Sequence, residues 1–254
     1  MKLVKRIARV FLIAAFWIGV WWLASWRVGK PLLFPSPAAV LRRLTELMQT
    51  KEFYLITANS LWNIVMGILT AVLLGCVLAV ITSRIKLLRE AILPVMTVIK
   101  ATPVASFIIL ALIWIGAAKV PTFITVLIVL PVIWTNLDEG LCKIDPQLIE
   151  VAKVYKMPFL RRLRLLTLPS VKPYFVSACR TSLGLAWKAG IAAEIIAMPR
   201  NSIGTMIGDA KQYIMTEDMF AWTLTVILLS LVIELLFAAL LNKLGGKRHR
   251  KEAV

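Results

Sequence analysis

The chain has 254 residues, of which 60% are hydrophobic and 17% charged, with a formal net charge of +17. A mean hydropathy of +0.84 excludes an ordinary soluble domain and points to an integral membrane protein. The basic excess would suit a nucleic-acid binder, but no aromatic-basic RNA motif occurs and Lys and Arg gather at the ends of apolar runs, so no nucleic-acid partner is expected.

Composition also limits the chemistry. His249 is the single histidine, and Cys76, Cys142 and Cys179 are scattered, so neither a metal site, a histidine triad nor a disulfide framework is expected. No G-x-x-x-x-G-K-[ST] phosphate loop occurs, so no nucleotide or other cofactor is assigned to the chain.

The predicted fold is all-α and polytopic. Six apolar segments each approach the about 20 residues needed to cross the hydrocarbon, at 7–26, 56–82, 91–116, 120–136, 171–198 and 219–244. The first follows a basic start like that of a signal peptide, but it is long enough to span and lacks a clean small-residue cleavage pattern, so it reads as a retained helix. Residues 1–55 are read as this helix plus an outer interfacial helix started by Ser36 and Pro37. Residues 56–244 form the main membrane domain, and 245–254 a basic tail.

The second segment carries Gly67 and Gly75, small residues that let helices pack closely. Pro94 and Pro103 interrupt the third, with Lys100 and Thr102 beside the second proline. Broken membrane helices survive only against protein or a water-filled cavity, so this segment either lines a pathway or is a kink whose Lys100 reaches the interface.

The longest polar break is 145–169. Asp145 caps and Pro146 starts a helix through Tyr155, with Leu148, Ala152 and Tyr155 on its apolar face. Pro158 predicts a bend near Lys156 and Met157, and a second, basic helix with Arg161, Arg162 and Arg164 stops at Pro169. Such a pair reads either as an interfacial element on anionic headgroups or as a docking segment.

The fifth segment holds Arg180, Lys188 and Glu194, and a charge at bilayer depth costs at least about 2.5 to 3.5 kcal/mol unless protein or water faces it. At about 100° per residue, Arg180, Trp187 and Glu194 share one arc with Ser177, Thr181, Gly184 and Lys188, opposite Ala178, Leu185, Ala189 and Ala193. That polar face predicts a translocation pathway or a salt-bridged seam. Gly204 and Gly208 then permit turns in a polar connector, and Glu234 sits alone in the sixth segment. With both termini inside, 19 Lys and Arg fall on the cytoplasmic side and 8 outside, which sets the orientation in a cell membrane.

Several of these stretches resemble permease subunits of binding-protein-dependent ABC importers, over roughly 33–244. Glu150, Val151 and Ala152 followed by Leu168 and Pro169 are similar to the family's Glu-Ala-Ala…Gly…Leu-Pro signature, its coupling helix. Val151 replaces an alanine, and Lys156 stands where the family has its turn glycine, so the turn is expected to avoid positive φ or to be made by Pro158. Lys100 with Pro103, the run from Ile113 to Gly116, then Pro131, Asn136, Gly140 and Asp145-Pro146 continue the match, as do Trp187, Ala192, Ala193 and Glu194. The phrase from Leu33 to Pro37 resembles the nitrate, sulfonate and taurine branch.

The resemblance implies a transport subunit, not an enzyme, that pairs with a second copy, two ATPase subunits and an external solute-binding protein. It implies ATPase coupling through Glu150, Val151, Ala152, Tyr155, Lys156, Met157 and Pro158. Lys100, Thr102, Arg180, Thr181, Gly184, Trp187, Lys188 and Glu194 are the expected pathway residues. The cargo expected is a small anion such as a sulfonate, taurine or nitrate, the alternative being a pyrimidine-type vitamin precursor. An ATP-independent channel or carrier would need inverted repeats or a relay of acids, and the chain shows neither.

Overall fold

The computed structural model describes residues 2–245. The basic tail expected at 245–254 lies, apart from its first residue, outside the described residues. Eleven α-helices carry the fold, and no strand occurs among the described residues. They are α1 (Lys2–Val28), α2 (Pro37–Met48), α3 (Lys51–Thr82), α4 (Lys86–Ala101), α5 (Val104–Ile115), α6 (Val120–Cys142), α7 (Pro146–Val154), α8 (Phe159–Arg162), α9 (Leu168–Ala197), α10 (Ile203–Gln212) and α11 (Thr216–Gly245).

Local chemistry explains most of the boundaries. The Ser36 hydroxyl accepts from the Ala39 N–H at 3.3 Å, with Pro37 in the first turn of α2, where a missing N–H costs nothing. Thr50 caps α3 in the same way through Phe53, so that helix starts five residues before the apolar segment at 56. α6 likewise outruns its expected end at 136. Its Thr135 hydroxyl bonds back to the Pro131 carbonyl, and Asp138 finds a cationic partner in α4, so polar residues stay within the helix.

Of the two prolines in the third segment only one breaks it. Pro94 lies inside α4, whereas Thr102 is extended before Pro103, and α4 and α5 diverge by 104°. Among the described residues four helices (α1, α3, α6 with the 3-10 turn before it, and α11) are long and apolar enough to cross a membrane, and the bent α4–α5 pair is a fifth candidate. The fifth expected span, α9, is not among them. Its 30 residues reach far enough, but its polar stripe lowers its hydropathy, and only its other side is packed against protein.

α6 is the central post, packed along α3 on one side and α9 on the other. The α3–α6 approach needs small residues: a Cβ at Gly67 would lie 2.6 Å from Thr125 Cβ, and one at Gly75 2.7 Å from Ile133 Cγ2. α1 stands apart, with none of its apolar window buried, tied on by Trp21 Nε1 to the Pro35 carbonyl and Ser25 Oγ to the Phe34 carbonyl. α2 clips to α11 through an Arg43–Asp218 ion pair.

Candidate functional site

The segment between α6 and α9 begins as its sequence dictates. Asp145 accepts from the Gln147 N–H at 2.9 Å and Pro146 opens α7. The expected apolar face is not buried, however. Ala152 alone of it is covered, while Leu148 and Tyr155 are 47% and 74% exposed. Glu150, Val151, Lys156 and Pro158 are also exposed, and Met157 is half-buried.

The turn is made differently from the expectation. Lys156 adopts φ +46°, the left-handed conformation normally given to glycine. The Met157 N–H donates to the Ala152 carbonyl and the Lys156 N–H to the Lys153 carbonyl, both at 3.0 Å. These two bonds are a Schellman cap, with Met157 folding back toward buried Ala152. Lysine thus takes the glycine's place at a cost of about 1–2 kcal/mol, and Pro158 only starts the next helix.

The second helix does not stop at Pro169. α8 passes through a π turn, Leu163–Thr167, directly into α9, and the Leu168 N–H donates to the Leu163 carbonyl. Pro169 falls in the first turn of α9. The wider turn upstream gives the proline ring room, so the helix runs on past it.

On α9 the polar arc divides. Ser177, Arg180, Thr181, Gly184 and Lys188 form an exposed stripe, and a Cβ at Gly184 would meet nothing within 4 Å. Trp187 and Glu194 do not belong to it. They lie 20° and 40° past Arg180 on an ideal wheel, and the packing boundary falls between. Trp187 is 4% exposed and donates Nε1–H to the Val226 carbonyl of α11, and Glu194 is fully buried. On the opposite arc Ala178, Ala189 and Ala193 are buried, whereas Leu185 is 41% exposed.

Glu194 instead anchors α10. Its Oε2 accepts from Ser60 Oγ at 2.8 Å and from the Gly204 N–H at 3.0 Å, and Ser60 in turn accepts from the Ile203 N–H. Gly204 sits inside α10, not in a turn, because a Cβ there would lie 2.2 Å from Glu194 Cβ. The turns of the connector fall at Met198, Asn201 and Ile214, all with positive φ and none of them glycine.

At the α4–α5 break, Lys100 Nζ donates to Thr135 Oγ1 at 2.7 Å, and Thr102 Oγ1 to the Val98 carbonyl at 2.8 Å. Sequence reasoning missed the pair at the other end of α4, where Arg89 reaches Asp138 Oδ2 at 2.7 Å, although the adjacent acids Asp138 and Glu139 after a long apolar run were the available signal. Among the described residues no group of three His, Cys, Asp or Glu side chains is placed to hold a metal ion.

Residues 71–246 match the family model described as "binding-protein-dependent transport system inner membrane component". The chain belongs to that family. The permease is 25% identical over 233 residues to the taurine transport system permease protein TauC of Escherichia coli, covering 89% of this chain and 84% of that one. It is 24% identical over 213 residues to a putative aliphatic sulfonates transport permease protein, SsuC, of Bacillus subtilis, covering 83% and 76%. Its fold matches a solved bacterial ABC transporter involved in import of the acidic polysaccharide alginate, with a TM-score of 0.65, 18% identity, and 96% and 99% of the two chains covered. The permease is thus a polytopic, all-helical transport subunit of an ABC importer.

Proposed function

We propose that α7 and α8 are the contact through which a separate ATPase drives this permease, and that the exposed stripe of α9 lines the path of a small anion. The first part rests on one observation. Val154, Tyr155, Phe159 and Leu160 are 78%, 74%, 62% and 76% exposed on a short knob flanked by Lys153, Lys156, Arg161 and Arg162. An apolar cluster rimmed by charge marks a protein contact. The knob hangs from the ends of α6 and α9, so a push on it is passed to both helices. Glu150, Val151, Tyr155, Lys156 and Pro158 present its surface, with Ala152 and Met157 holding its shape.

The proposed pathway residues are Lys100, Thr102, Arg180, Thr181, Gly184 and Lys188. Trp187 and Glu194 are left out because they are buried within the chain. Cations on an open face, together with relatives named for sulfonates and taurine, favour an anionic cargo over a vitamin precursor. A second copy of this chain opposite the stripe, two ATPase subunits and an external solute-binding protein complete the proposed machine. The uneven distribution of Lys and Arg supports an orientation with both termini and the α7–α8 knob on the cytoplasmic face of a cell membrane.

The test is Glu150→Arg. Uptake is lost while membrane insertion is normal and co-purification of the ATPase drops. Unchanged uptake with normal co-purification removes the assignment.

A further inference from the structure

Two cavities meet at the root of the α7–α8 knob. One, about 620 Å³, has an almost wholly apolar wall that includes Leu137, Val171 and Phe175. The other, about 440 Å³, is lined in part by Ser83, Arg84 and Arg162. They share Val80, Leu141, Leu163 and Thr167, so they form one continuous groove with an apolar end and a basic end. No acidic side chain lines either part.

The basic end has no counter-charge of its own. Neither Arg84 nor Arg162 makes an ion pair among the described residues. Arg84 lies over the Phe159 ring, 5.6 Å from its centroid, a stacking that fixes the guanidinium while leaving its in-plane N–H groups to bind an anion. Lys172 adds a third cation on the rim of the apolar part.

We infer that this groove is a binding site for one anionic phospholipid, with an acyl chain in the 620 Å³ cavity and the phosphate between Arg84 and Arg162. Apolar depth joined to a basic mouth matches an amphiphile with a negative head and excludes a purely polar anion. Basic pockets between membrane helices at the cytoplasmic side bind anionic headgroups, and Arg forks suit phosphate oxygens. Leu163 and Thr167 bound the π turn that joins the knob to α9, so a seated lipid braces the hinge between them. Only the leaflet that supplies the lipid depends on the proposed orientation.

The test is native mass spectrometry of the full chain in mild detergent, titrated with phosphatidylglycerol, phosphatidylcholine or inorganic phosphate. One phosphatidylglycerol is retained, phosphatidylcholine does not displace it, and phosphate does not compete. Two surface cations each contribute about fivefold, so Arg84→Gln with Arg162→Gln weakens phosphatidylglycerol roughly 25-fold, to the level of phosphatidylcholine. Val80→Trp, at a half-exposed position lining both cavities, blocks the tail while keeping both arginines and lowers retention too. A normal melting curve identifies each variant as folded. Equal retention of the two lipids by the unmodified chain overturns the inference, as does displacement by phosphate alone. Crosslinking of Arg162→Cys to a second copy, in place of lipid, overturns it as well. None of these results bears on whether Glu150→Arg uncouples uptake, so the site and the coupling assignment fail separately.

Discussion

Replacing Gly204 by alanine tests the α9–α10 junction directly. The added Cβ would lie 2.2 Å from Glu194 Cβ and 2.6 Å from both the Glu194 carbonyl carbon and the Ile195 nitrogen. Two of those atoms are backbone, so no rotamer change relieves the contact and α10 itself must move. Overpacking of this kind costs about 1–3 kcal/mol. The move also lengthens the 3.0 Å bond from the Gly204 N–H to Glu194, a bond of a type worth about 0.5–1.5 kcal/mol. A loss of about 3 kcal/mol is the middle of the summed range, and at about 2–4 °C per kcal/mol for a chain of this size it lowers the melting temperature by roughly 6–12 °C. Differential scanning fluorimetry of the purified permease in detergent reads the shift. Gly184→Ala is the matched control, because a Cβ there meets nothing within 4 Å, and alanine's better helix propensity of about 1 kcal/mol leaves the melt unchanged or slightly raised. A Gly204→Ala melt within about 2 °C of the parent would show that α10 does not depend on this close approach, and the reasoning would fail.

Two more outcomes follow from the geometry. Lys156→Gly removes a left-handed cost of about 1–2 kcal/mol but adds unfolded-state entropy, for a net gain of up to about 1 kcal/mol with uptake kept, whereas β-branched Lys156→Val destabilises the cap and lowers uptake. Thermal melts and a transport assay on the same membranes separate the two, and equal behaviour of Gly and Val contradicts the Schellman cap. Asp138→Ala breaks a pair whose acid side chain is 8% exposed and whose arginine is 45% exposed, so Arg89 remains solvated and the loss is about 1.5–3 kcal/mol. Asp138→Asn, which keeps one hydrogen bond, should cost roughly half of that, and a melt ranking Asn below Ala would count against the pair.

The sequence alone determined that the chain is helical and built for a membrane, and where α2, α6 and α7 begin. Apolar length, proline positions and Ser or Asp caps act over a few residues, so Ser36, Asp145 and Pro146 could be read directly. The break at Pro103 was equally local, because a proline forces its predecessor into extended backbone. Tertiary structure decided what faces what. A 20° or 40° step around α9 separates exposed Arg180 from buried Trp187 and Glu194, and no periodicity in one helix reveals where its neighbours end. The positive φ at Lys156 and the helical passage through Pro169 were likewise hidden. Residue preference disfavours a left-handed lysine and a helix that runs into proline, and in the folded chain the Met157 N–H to Ala152 and Leu168 N–H to Leu163 bonds are made in spite of it. The pairing of Arg89 with Asp138, 49 residues apart, has the same origin: charge can be read from composition, but its partner is chosen by packing.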